Sequence, residues 1–376
     1  MVRYRSILRL TLGATFLVLS AIALAGWSAE EERRIGEQVC AEIEKEYKRW
    51  DNPDVLKRVQ AIVDEIVPHT DRPEVKYEVR LLDIAEKNAF SIPGGFVYVT
   101  KGLIEDVQSD DELAAVLAHE IAHNCTYDAL RQAKRSSKMF LGSLAAGIVA
   151  VLLGAQSDVV SATVTAGLYA RQAVLSHYSI DIEAQADANA VRYLLKTKYN
   201  PVGLLTFMER LARAERREVP PDQGIFQTHP LSRERVANLM NILTAAGVRI
   251  NRRAVTQWRK PELKEVQVGE AKWPAVTWWD QTVFVVVGTD PQSASKRAQE
   301  ILERLTEALA AGAMRTDFTI EGRGDHTDLV AGSRVILTVT SEDAKSQGKQ
   351  DHAELAKDAL SAILRALARE QLAYSF

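Results

Sequence analysis

The stretch Ser109-Asp110-Asp111-Glu112-Leu113-Ala114-Ala115-Val116-Leu117-Ala118-His119-Glu120-Ile121-Ala122-His123 decides the reading of this chain. Ser109 with Glu112 three residues later is a capping-box pattern. No Pro or Gly follows from Leu113 to about Ser136, so the run predicts one long helix. His119 and His123 are four apart and share a face of that helix, about one turn along. Two imidazoles so placed can each present a nitrogen to one zinc ion. Glu120 lies beside them. Zinc lowers the pKa of a bound water to about 7, and a neighbouring carboxylate can take the proton. The hydroxide then attacks a carbonyl that the metal polarises. Two histidines on a solvated surface is the alternative, and the apolar setting argues against it.

An open catalytic zinc site needs a third protein ligand. The candidates are His177, Asp181, Glu183, Asp187 and His229. Glu183 and Asp187 are four apart and share a helix face, so one can bind metal while the other holds a ligand histidine. Spacing alone does not choose among Asp181, Glu183 and Asp187. A solvated acidic helix face is the alternative reading of all three.

Working outward from the motif, the chain of 376 residues is long enough for two domains. Its net charge of −3 gives no reason to expect nucleic-acid binding. Arg3, Arg5 and Arg9 precede an apolar stretch from Leu10 to Ala25 that ends in Ala23-Leu24-Ala25. Residues 1–25 therefore read as a secretory signal, or as an uncleaved anchor helix. Cys40 and Cys125 are the only cysteines, too few for a cysteine-rich zinc site. They are read as two buried thiols or, in an oxidising compartment, as a possible pair.

Between Ala29 and Val67 apolar residues recur at helical spacing, broken at Asn52-Pro53. Val75 to Leu81 alternates and predicts a strand, as does Phe96 to Val99 after an Ile-Pro-Gly-Gly turn. Met139–Gly154 and Val159–Ala170 are strongly apolar and form an insertion over 139–170, read as a hairpin that covers the site, enters a membrane or packs in an ordinary core. Helical patterns follow over 174–196, after Asn200-Pro201 and over 231–246. Residues 251–274 are polar and irregular and read as a linker. Beyond them, strands at Thr282–Val287 and Val335–Thr340, each followed by a helix, suggest a degenerate strand–helix repeat over 275–376.

Four segments, in order, resemble the HtpX/Oma/BepA-type zinc metallopeptidase family, relatives of the CaaX prenyl protease. They are Asn88-Ala89-Phe90-Ser91-Ile92-Pro93-Gly94-Gly95, the helix Glu112 to His123, Glu183-Ala184-Gln185-Ala186-Asp187, and Thr228-His229-Pro230 with Arg235. The resemblance implies an α+β fold: a mainly helical zincin-type domain over 29–250 with a small sheet bordering the cleft. A smaller C-terminal α+β domain of two strand–helix units would follow, resembling an extracytoplasmic domain of cyanobacterial proteins. It implies one zinc ion per chain held by His119, His123 and Glu183, with Glu120 as the catalytic carboxylate and Asp187 supporting a ligand. His229 would stand near the metal, stabilising an oxyanion or closing the site in a latent state, and Arg235 would brace it. Asn88 and Ala89 would lie on an edge strand that binds substrate backbone. The implied function is an exported endopeptidase of the periplasm or cell envelope that cuts misfolded or unassembled envelope and membrane proteins. Membrane contact through 139–170 is part of that expectation. The alternative is a latent zinc protein acting mainly as a chaperone or assembly factor, although Glu120 is not needed merely to bind metal.

Overall fold

The computed structural model describes residues 28–129, 180–217 and 233–374. The expected leader at 1–25, the apolar insertion at 139–170, His177 and His229 lie outside them. Among the described residues the fold is α+β and mostly helical, with three small sheets.

Helix α1 (Ala29–Glu46) starts at a capping box made by Ser28 and Glu31, and α2 (Pro53–Ile66) starts at Asn52 with Pro53 in its first turn. Both starts use side chains that satisfy otherwise unpaired amides. Strands β1 (Glu78–Leu82), β2 (Ala89–Ile92) and β3 (Phe96–Thr100) form a sheet ordered β1-β3-β2. β1 runs parallel to β3, and β2 antiparallel. The outer edge of β1 is covered. Gln60 accepts from Val79 N and donates to Tyr77 O, while Trp50 N and Asp83 N bond to Leu81 O and Lys48 O across it. Among the described residues nothing pairs with the outer edge of β2.

After the short α3 (Lys101–Asp106) comes α4 (Asp110–Cys125), the predicted motif helix. Every residue from Glu112 to Cys125 is buried. It is walled by α2 and by α5 (Ile180–Leu194), α6 (Val202–Arg217) and β2, with α7 (Arg233–Ala245) against α5 and α6. A helix apolar on most sides is one enclosed by its neighbours.

Two details differ from the expectation. Only half of the capping box forms. Ser109 Oγ accepts from Glu112 N, but the Glu112 carboxylate turns inward, taking Gln108 N at 2.9 Å, Thr206 Oγ1 at 2.9 Å and Arg210 Nη2 at 2.7 Å. The half-buried Arg210 guanidinium and the Thr206 hydroxyl draw the carboxylate away from the Ser109 amide, and it takes Gln108 N instead. The helix also stops at Cys125 rather than near Ser136. Thr126 Oγ1 bonds back to Ala122 O, and Tyr127 adopts a left-handed conformation at φ 57°.

The C-terminal part contains two units, each of three antiparallel strands and a long helix: β4 (Glu262–Val268), β5 (Ala271–Trp278), β6 (Gln281–Val285) and α8 (Pro291–Ala310), then β7 (Phe318–Gly322), β8 (His326–Ala331), β9 (Arg334–Thr340), the short α9 (Ser341–Ser346) and α10 (His352–Tyr374). Residues 251–274, read as linker, thus hold β4 and the start of β5. Ala294, Ala298, Ile301 and Leu305 of α8 and Leu355, Ala359, Ile363 and Ala366 of α10 line a core that shares no residue with the core around α4.

Residues 249–257 clasp the two cores together. Facing back, Arg252 makes a two-pronged bond to buried Glu209, and Val255 O accepts from Ser109 Oγ, the cap of α4. Facing forward, Asn251 bonds to Ala310 O, and Arg253 bonds to Glu370 and to the carbonyls of Leu309 and Ala313.

Glu112→Ala strips the half-buried Arg210 of one of its two carboxylates and unties α4 from α6. We expect it to destabilise the fold by about 2 kcal/mol, typical of losing hydrogen bonds to a buried charge. The shift in urea midpoint measures this.

Candidate active site

Helix α4 delivers His119 and His123 on one face, and α5 delivers Glu183 and Asp187 on the face opposite. All four are buried. His119 Nε2 lies 3.1 Å from His123 Nε2 and 3.4 Å from Glu183 Oε2, and His123 Nε2 lies 3.5 Å from Glu183 Oε1. Tetrahedral zinc with bonds of about 2.0–2.1 Å to nitrogen and oxygen holds its ligand atoms about 3.3–3.4 Å apart. The three observed separations bracket that value, and two imidazoles with one carboxylate are a donor set zinc accepts. Among the described residues these three alone form such a group, so the cluster fits a metal ion.

The outer nitrogens of the two rings are also engaged. His119 Nδ1 lies 3.0 Å from Asp187 Oδ1, and His123 Nδ1 lies 3.0 Å from Asp128 Oδ2. Carboxylates placed against the outer nitrogens favour the tautomer whose Nε2 faces a metal. Arg235 of α7 is buried behind both acids. Its Nη1 lies 2.7 Å from Glu183 Oε2, and its Nε and Nη2 bond to the two oxygens of Asp187 at 3.0 and 2.8 Å. Asp181, the other acidic candidate on α5, is exposed. Geometry separates what spacing left open: Glu183 reaches the paired Nε2 atoms, and Asp187 reaches the far side of His119.

Charge in the site follows from this arrangement. Burial works against a charged His119, but Asp187 and Glu183 outweigh it and raise its pKa to about 10. Burial also works against ionised Asp187, yet His119 and Arg235 hold its carboxyl below the usual range. Burial raises the Glu120 carboxyl to about 7, opposed by the charge of the two histidines. Among the described residues several acids share the cluster with one guanidinium, that of Arg235, and a divalent cation suits that imbalance.

Ser91 of β2 donates to Glu120 O at 2.6 Å, which fastens the sheet to the motif turn. Ala89 is fully buried on the same strand. Asn88 precedes it, with its backbone N–H on Thr100 Oγ1 and its side-chain Oδ1 buried with no hydrogen-bond partner among the described residues.

Asp128 was not among the sequence candidates. The signal was available: each ligand histidine needs a partner for its second nitrogen. Asp128 is an acid close beyond His123, but the expectation of helix to Ser136 hid the turn that brings it back. Cys40 and Cys125 are both buried free thiols in different clusters.

A buried helix carrying His-Glu-x-x-His, completed by a carboxylate from a second helix, defines a metallopeptidase. The chain belongs to peptidase family M48, whose model matches residues 53–243, and it is a metalloendopeptidase of that family. Residues 275–370 match a domain of unknown function, DUF8459. The chain is 27% identical over 223 residues to metalloprotease LoiP of Escherichia coli, covering 59% of this chain and 84% of that one. It is 26% identical over 225 residues to the mitochondrial metalloendopeptidase OMA1 of Schizosaccharomyces pombe, covering 59% and 64%. With the beta-barrel assembly-enhancing protease of Escherichia coli it shares 25% identity over 218 residues, covering 57% of this chain and 44% of the relative. No helix among the described residues is long and apolar enough to cross a membrane.

If Asp187 and Asp128 orient the ligand rings, Asp187→Asn and Asp128→Asn should each weaken zinc binding by about 10- to 100-fold. Competition with a chromophoric chelator measures it. Unchanged affinity in both would remove the orienting role.

Proposed function

We propose that the protein hydrolyses peptide bonds with one zinc ion held by His119 Nε2, His123 Nε2 and a Glu183 carboxylate oxygen. The observation that carries this is the 3.1–3.5 Å triangle of donor atoms with Glu120 next to its first ligand. Bound zinc polarises the scissile carbonyl and makes water a nucleophile near neutral pH. The rest is the work of the chain. The Glu120 carboxylate takes a proton from the attacking water and returns it to the leaving amine. Asp187 and Asp128 keep the rings oriented. Arg235 braces Glu183 and Asp187 against each other. His229, carried over from the resemblance, stabilises the oxyanion.

Substrate enters as an extended strand along β2. Thr100 N bonds to Asn88 O, and this sets the phase of the β2–β3 ladder. Asn88, Phe90 and Ile92 bond inward, so the N–H and C=O of Ala89 and Ser91 face outward for a peptide to pair with. The buried Asn88 Oδ1 offers a further acceptor. The covered β1 edge supports this choice of strand, since among the described residues it leaves β2 as the edge that no other strand pairs with.

The peptidase domain of this reading spans 29–250 and the C-terminal domain 275–376, joined through 251–274, whose β4 and the start of β5 extend the first C-terminal sheet. Two separate cores and the limits of the two family matches support it. The substrates proposed are misfolded or unassembled proteins of the cell envelope, reached by export through residues 1–25. The leader pattern supports export, and the similarity to a beta-barrel assembly-enhancing protease supports the substrate class.

The test pairs metal analysis with casein degradation for the wild type and Glu120→Gln. Zinc at one ion per chain in both, with cleavage in the wild type and a loss of at least about 100-fold in the variant, is expected for removal of the proton-transfer group. Zinc in both and cleavage in neither would overturn the enzymatic reading in favour of a latent chaperone.

A further inference from the structure

Helix α1 lies outside the matched family segment, yet two of its residues grip the cleft. Glu32 is buried, and its carboxylate binds Arg72 through two bonds, Nη1 to Oε1 at 3.0 Å and Nη2 to Oε2 at 2.6 Å. Glu32 Oε1 also accepts from Gly94 N at 3.0 Å, in the turn that joins β2 to β3. Arg33 Nη1 donates to Gly94 O at 3.0 Å, so both polar groups of one turn residue are held from α1. The approach is close. A Cβ on Gly36 would lie 2.0 Å from Pro93 O, and Gly94 itself has φ +80°.

Arg72 continues the chain of contacts. Its Nη1 lies 3.4 Å from Asn124 O, the residue after His123, and its guanidinium stacks on Tyr127 at 4.3 Å. Asn124 Nδ2 then donates to Ile92 O at 2.8 Å, and Tyr77 OH donates to Asn124 Oδ1 at 2.8 Å. The path closes on itself: Glu32, Arg72, Asn124, Ile92, Gly94, Glu32. It joins the end of β2 to the end of the metal helix, and Glu32, Ser91, His123 and Asn124 line one crevice.

A buried ion pair is poor evidence of added stability, because desolvation offsets the attraction. What this ring does is fix a distance. Ser91 on Glu120 O ties β2 to the middle of α4, and the ring ties it at the end. A pairing strand held out of register loses backbone hydrogen bonds to its substrate, each about tenfold in affinity.

We propose that Glu32 is a positioning residue for peptide hydrolysis, holding the substrate-pairing strand β2 in register with the metal helix through Arg72, Asn124 and Gly94. This rests on the reading that substrate pairs with β2, and the experiment separates the two. The probes are a quenched-fluorescence peptide from a mapped casein cleavage site and the same peptide with single backbone N-methyl groups. They are applied to zinc-loaded full-length wild type, Glu32→Gln and Arg72→Lys. In the wild type at least one N-methyl group should raise KM about tenfold, the loss of one hydrogen bond. If none does, strand pairing fails and the proposal fails with it. Both variants should raise KM about tenfold, with kcat within about threefold and zinc content unchanged, and the N-methyl penalty should shrink. Arg72→Lys keeps the buried cation paired and reads the ring if Glu32→Gln does not fold. Folded, zinc-loaded variants with wild-type KM, even with a lower urea midpoint, would overturn the positioning role while leaving strand pairing standing.

Discussion

The guanidinium of Arg235 is the constraint on which the site depends. It sits fully inside the protein, bonded to Asp187 and against Glu183, and both carboxylates are completely buried. Two like charges one helical turn apart in a low-dielectric interior repel strongly without a shared cation. With Arg235 between α7 and α5, Glu183 is free to turn an oxygen toward the Nε2 atoms, and Asp187 turns one toward His119 Nδ1. The metal cluster therefore depends on a residue that belongs to neither ligand helix.

The same logic recurs at the start of α4. Glu112 is an acid inside the protein, and Arg210 and Thr206 of α6 meet it there. Paired in this way, charged residues act as fixed joints between helices whose other contacts are apolar and less directional. Apolar burial supplies most of the cohesion. The ion pairs set how the helices are rotated and offset.

Much of this was legible in the residues. The helix from Ser109 onward, its paired imidazoles, the β1 and β3 strands and the two C-terminal helices all follow from periodicity and end signals. Which acid meets the Nε2 atoms did not follow, because Asp181, Glu183 and Asp187 lie within two turns of one helix, and tertiary packing sets which of them faces α4 and at what height. The inward turn of Glu112 was hidden for the same reason: the competing partner, Arg210, is remote in sequence. β4 was missed because Glu-Leu-Lys-Glu-Val-Gln-Val is exposed on both faces and reads as polar loop, and β5 because Pro274 interrupts its pattern. A strand held by its neighbour's ladder needs little patterning of its own.

The clasp at 249–257 has a mechanical meaning. Its Val255 carbonyl shares the Ser109 hydroxyl with the first turn of α4, while Arg253 two residues earlier is fastened to α10. A tug or twist on the distal α+β unit is therefore not absorbed by a slack tether. It reaches the foot of the very helix that carries both imidazoles, by a path only a few residues long.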